Sequence, residues 1–224
     1  MIYRSVGWAM LIGSLVGCAS PPHEYSGFLE NYQGLEPAPH DKNALLYRKP
    51  GLDLSVLKQY DRVMIDPVSV WFKADAKYKG IHPEVLARLA DDFHESALEA
   101  LQDRYPVVLS PGPGVLRIRA AITDLVATKP ALNAATFVGP GRQVSTLSRI
   151  VTGRHLFVGE AAIEVELLDS LTQERLFAYI DRRIGNKINP AQGVTPWGHV
   201  KAAFDGWAQT LRKRLDEAHL EMDN

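Results

Sequence analysis

The chain contains one cysteine, Cys18, so no disulfide can form within one molecule and no thiolate pair can hold zinc. The fold has to stand on buried apolar side chains, and their pattern is the guide to architecture. From Val115 to Thr128, the residues Leu116, Ile118, Ala120 and Ile122 alternate with Arg117, Arg119, Ala121 and Thr123. Period two of this kind marks a half-buried strand. Glu160 to Leu168 repeats it, with Ala161, Ile163, Val165 and Leu167 opposite Glu160, Glu164 and Glu166. Asp169 to Glu174 reads as a turn and Arg175 to Ile184 as the returning arm of a hairpin. Arg62 to Phe72 alternates around Pro67, which lacks a ladder donor, and predicts an edge strand or two short strands meeting at a bulge. Val107 to Leu109 predicts a further short strand.

Two helices complete the pattern. His82-Pro83-Glu84 places proline in a first turn, where its missing N–H costs nothing. Leu86, Leu89, Ala90, Phe93, Ala97 and Leu101 then recur as one apolar stripe. Thr195-Pro196 predicts an N-cap and first-turn proline for a helix carrying Trp197, Val200, Phe204, Trp207, Leu211 and Leu215. The order β-α-β-β-β-β-α predicts an α+β two-layer sandwich, a largely antiparallel sheet covered on one face by two helices. The uncovered face, with Arg117 and Arg119 near Glu164 and Glu166, reads as a solvated charge ladder.

The N-terminus has the layout of a secretion signal. Arg4 is a short basic start, Trp8 to Val16 is mostly apolar, and small residues precede Cys18. The run is too short for a stable membrane-spanning helix. Leu15-Val16-Gly17-Cys18 resembles the lipobox of bacterial lipoproteins. That resemblance implies removal of residues 1–17 as a signal peptide and acylation of the Cys18 thiol. Ala19 and Ser20 follow, not the Asp associated with inner-membrane retention, so the resemblance implies a lipid-anchored protein on the periplasmic face of the outer membrane. Residues 18–59, punctuated by Pro21, Pro22, Pro37 and Pro39, are expected to be a lipidated tether. Within it Tyr25, Phe28, Leu29, Tyr32 and Leu35 are expected to pack on the domain surface. Residues 60–224 are expected to be a periplasmic α+β domain with a long basic insertion at 129–158.

A net charge of −1 gives no reason to expect nucleic acid as a partner. The insertion is a local exception. Leu125 to Gly159 holds no Asp or Glu, yet includes Lys129, Arg142, Arg149 and Arg154. These four residues are candidate contacts for an anionic lipid surface or an envelope protein partner, at about 1 kcal/mol per basic residue near an anionic surface.

Motifs for chemistry are scarce. There is no G-x-S-x-G elbow, no H-E-x-x-H, and no glycine-rich loop ending in Gly-Lys-Ser/Thr. Asp91, His94 and Glu95 share a helical face and could hold a divalent ion, but such a trio is also the ordinary polar side of a helix opposite the Leu86–Phe93 stripe, and they are expected to be that. Asp66, before Pro67, suits a local backbone cap better than a general base. No catalytic residue, metal ligand or cofactor is expected. The predicted function is a non-enzymatic binding or assembly module of the cell envelope. The alternative is a periplasmic hydrolase whose site forms only in the fold, from Asp66, His82 or His155.

Ser26-Gly27-Phe28-Leu29 with Tyr32 and Leu35, Tyr60, Val63, Ile65-Asp66-Pro67-Val68, and Glu164 to Asp169 with its turn together carry a further likeness. The chain resembles an uncharacterised family of Gram-negative lipoproteins, a domain of unknown function. The family turn often reads Thr-Gly, where this chain has Thr172-Gln173. The resemblance implies a lipoprotein and supplies no activity.

Overall fold

The three long alternating stretches form the centre of one sheet, and shorter strands join it on both sides. The computed structural model describes residues 25–39, 41–72, 80–129, 159–185 and 194–220. Among them are strands β1 (Glu36–Ala38), β2 (Asp41–Arg48), β3 (Arg62–Ile65), β4 (Ser69–Val70), β5 (Val115–Val126), β6 (Glu160–Asp169) and β7 (Arg175–Ile184). The helices are α1 (Pro83–Leu101) and α2 (Gly198–Leu220), and a 3-10 turn spans Leu54–Gln59. The sheet order is β1-β2-β7-β6-β5-β3, with β4 also on β5. Pairings from β1 through β5 are antiparallel, whereas β3 and β4 run parallel to β5. The fold is an α+β two-layer sandwich with a largely antiparallel sheet.

Pro67 explains why β3 and β4 are separate. It supplies no N–H, so the ladder resumes on either side through Asp66 N to Ile118 O (3.0 Å) and Trp71 N to Ile122 O (2.8 Å). Val107 makes only a single bridge to Val63, so 107–109 is not a strand of the sheet. The second helix begins at Gly198, later than Thr195-Pro196 suggested. Those residues form a turn whose Pro196 carbonyl accepts from Thr128 N at 2.7 Å, tying the helix start to the end of β5.

Both helices lie on one face. Phe93 of α1 stacks on Phe204 of α2 at 4.8 Å between ring centroids, and Trp207 tilts against both. Ile122, Leu125, Ala161 and Ile163 meet this cluster from the sheet. A second cluster, with Leu101, Tyr105, Leu116, Ile118 and Leu215, continues the layer toward the β6–β7 turn. Full burial of each large aliphatic or aromatic side chain contributes roughly 1.5–3 kcal/mol.

The expected tether is the main departure. Residues 36–48 are two strands of the sheet, with Leu45 opposite Ile180 of β7. Ala44 and Leu45 are buried, so the domain begins well before residue 60. Leu29 is also buried, and with Phe28, Tyr32 and Leu35 it packs against Leu45, Ala178 and Ile180 on the face away from the helices.

Candidate functional site

Strand alternation sends the charged residues of β5 and β6 to the face opposite the helices, where register sets Arg119 beside Glu166 and Ala121 beside Glu164. Asp66 leaves the end of β3 toward the same face. Arg117 grips it as a fork, Nε and Nη2 donating at 3.0 and 2.7 Å, and this bond holds the guanidinium above its ordinary pKa. Arg119 pairs with Glu166, which also accepts from Arg175 Nε at 2.9 Å. Arg117 further donates to the side chain of Gln173. That residue occupies the left-handed region, φ 61°, at the turn position where the related family often has glycine.

The ladder is not solvated as expected. Glu164 and Glu166 are almost fully buried, because residues 25–32 cross over them as a strap. Glu164 accepts from Ser26 N at 2.9 Å and from the Tyr32 hydroxyl at 2.7 Å. Burial and this carboxylate push the Tyr32 phenol up. The same phenolic oxygen accepts from Gly27 N (2.8 Å) and Leu29 N (3.2 Å), so one hydroxyl fixes both the strap's turn and its seat. Gly27 is at φ 87°, a conformation glycine adopts without a Cβ penalty. Trp71 Nε1 donates to Ser26 O at 3.1 Å, Arg119 lies 5.3 Å over the Phe28 ring, and Arg175 donates to Asn31 O at 2.6 Å.

Buried carboxylates are tolerable only when paired. Here Asp66, Glu164 and Glu166 are all engaged by arginines or by the strap. Such an arrangement seats a chain segment on the sheet face. Sequence reasoning placed Glu164 on the polar face but missed its partners. The signal was the cluster of aromatic residues at 25–35.

Cys18, Arg142, Arg149, Arg154 and His155 lie outside the described residues. Lys129 is exposed just beyond β5. His82 is the N-cap position of α1, on the helical layer, while Asp66 serves Arg117 on the opposite face, so the two do not meet. Among the described residues no group of three or more His, Cys, Asp or Glu is placed to hold a metal ion, and that includes Asp91, His94 and Glu95. Two open depressions, of about 540 and 300 Å³, lie on the outer helical surface beside Arg212 and beside Lys201. Neither takes in Asp66 or His82.

Asp181 and His199 could not be ranked as site residues from the sequence, and both are buried. Asp181 accepts from Trp207 Nε1 at 2.6 Å under α2. His199 is buried with Nδ1 2.9 Å from Thr128 Oγ1, and a Cβ on Gly185 would come within 2.5 Å of its ring.

Comparison with known proteins places this arrangement. The chain is 26% identical over 200 residues to the uncharacterized lipoprotein YdcL of Escherichia coli (strain K12), covering 87% of this chain and 88% of that protein. Among solved structures, the PelC dodecamer from Paraburkholderia phytofirmans is similar with a TM-score of 0.41 and 10% identity, over 77% of this chain and 95% of that one. Residues 24–211 match the model of a family described as a protein of unknown function, a span that takes in the strap, Asp66, Glu164 and the hairpin turn. The chain therefore belongs to that family, DUF3313.

Proposed function

We propose that this protein is a lipoprotein of the outer membrane, facing the periplasm, that works as a non-enzymatic binding or assembly module. Residues 1–17 are the signal peptide and Cys18 is the lipidated residue. The lipobox pattern and the relative named as a lipoprotein support the anchor. The observation that carries the non-enzymatic reading is the engagement of Asp66, Glu164 and Glu166 by arginines and the strap. Lys129, Arg142, Arg149 and Arg154 are the contact surface for an envelope protein or an anionic lipid layer.

Fractionation tests the anchor: Cys18→Ser should leave the domain folded and move it from the membrane pellet to the soluble fraction. Retention of that variant in the pellet at high salt would overturn the lipid anchor. Replacing Arg142, Arg149 and Arg154 together with Gln should leave stability within about 0.5 kcal/mol and weaken salt-sensitive capture of crosslinked partners from native envelopes. Undiminished capture would remove the basic insertion from the binding surface.

A further inference from the structure

The strap leaves two aromatic rings half outside the protein. Tyr25 is 45% exposed and Trp71 48% exposed, yet neither is loosely held. Tyr25 stacks on Tyr32 at 4.1 Å. Trp71 is fixed by its indole bond to Ser26 O, by its amide bond to Ile122 O, and by an edge contact with Phe28 at 6.2 Å. Because Ser26 follows Tyr25 directly, the two rings belong to one aromatic edge on the sheet face turned away from the helices.

Distance decides what that edge meets. Seven peptide steps separate Cys18 from Tyr25, and fully extended they reach at most about 25 Å. A domain of this size is roughly 40 Å across. A lipid on Cys18 therefore keeps Tyr25 within about 25 Å of the bilayer, a reach that favours orientations with the strap face turned toward the bilayer over those with the helices down. Rings with an apolar body and a polar tip, such as Trp and Tyr, favour the headgroup region.

We propose that Tyr25 and Trp71 form a membrane-resting edge that seats the domain, strap face down, on the phospholipid headgroup layer. This rests on the lipid-anchor reading above, and the experiment separates the two. Acylated full-length protein is reconstituted into vesicles of phosphatidylcholine and phosphatidylglycerol with and without brominated acyl chains. Flotation reports the anchor; tryptophan quenching reports the seat. With wild-type protein afloat, bromine should quench part of the emission, and Trp71→Phe should lose most of that quenching while still floating.

Because Trp71→Phe removes a strap contact, Tyr25→Cys carrying a polarity-sensitive dye gives an independent reading. It should shift to the blue on vesicles, while the same dye at Glu95→Cys, on the exposed side of α1, should not. Floating protein whose quenching is equal with and without Trp71, and whose position-25 dye stays water-like, would overturn the seat and leave the anchor standing. Failure of the wild-type acylated protein to float would overturn both.

Discussion

The Tyr32 hydroxyl donates to Glu164 at 2.7 Å across 132 positions of sequence. Glu164 has no exposed surface, so losing this donor leaves part of a buried carboxylate unpaired. Tyr32→Phe keeps the ring stacked on Tyr25 and removes only the hydroxyl. It should cost about 1–3 kcal/mol, read as a lower urea midpoint, and should expose residues 25–35 to limited proteolysis before the rest of the domain. An unchanged midpoint and cleavage pattern would mean that the strap is held by its other contacts, without need of the Tyr32 hydroxyl.

Trp207 joins the aromatic cluster to Asp181. Trp207→Ala empties a large core site and should cost about 3–5 kcal/mol. Trp207→Phe retains most of the packing but withdraws the indole donor, and should cost about 1–3 kcal/mol. Chemical denaturation of both variants checks the order. Equal costs would assign the whole effect to the Asp181 bond and none to ring volume.

Gly185 lies against the His199 ring with no room for a methyl group. Gly185→Ala should therefore force His199 away from Thr128 and destabilise the domain by about 1–3 kcal/mol. At roughly 2–4 °C per kcal/mol for a chain of this length, a thermal melt resolves the change. A melt identical to wild type would show that the His199 ring gives way freely.

High pH should weaken the helical layer in a defined window. Burial and hydrogen bonds to Asp169 and Asp216 push the phenols of Tyr60 and Tyr105 up to about 12. Unfolded tyrosine ionises near 10.0. The neutral phenol is favoured by folding, so its contribution is complete below pH 10 and is lost as pH rises toward 12. Urea midpoints measured across that range should fall for wild type and fall less for the double variant Tyr60→Phe, Tyr105→Phe. Parallel curves would locate the alkaline loss elsewhere.

The sheet's centre was legible because Leu116 and Arg117, or Ile163 and Glu164, answer to a local rule: adjacent residues point to opposite faces. Pro83 and the Leu89–Phe93 spacing announced α1 in the same local way. Asp41 to Arg48 gave no such signal. Its apolar run, Ala44 to Tyr47, is short and follows two prolines, and it becomes a strand only because β7 offers an edge near Ile180. The charged face failed for a related reason. Alternation told which way Glu164 points, but not that a segment nearly 140 residues earlier would cover it.

The pairing of β2 with β7 also sets an order of events. Leu45 has only Pro37 of the neighbouring β1 as a strand partner until Ile180 is available, and Ser26 has no seat until Glu164 is. A chain that crosses a membrane N-terminus first would thus emerge with its first two strands able to pair only with each other. They would wait through most of its length before the sheet that accepts them exists. Contacts so remote in sequence form slowly, since loop closure must precede any gain from pairing. Completion of the fold is therefore a late, nearly single event, in which the far end of the chain fastens the beginning.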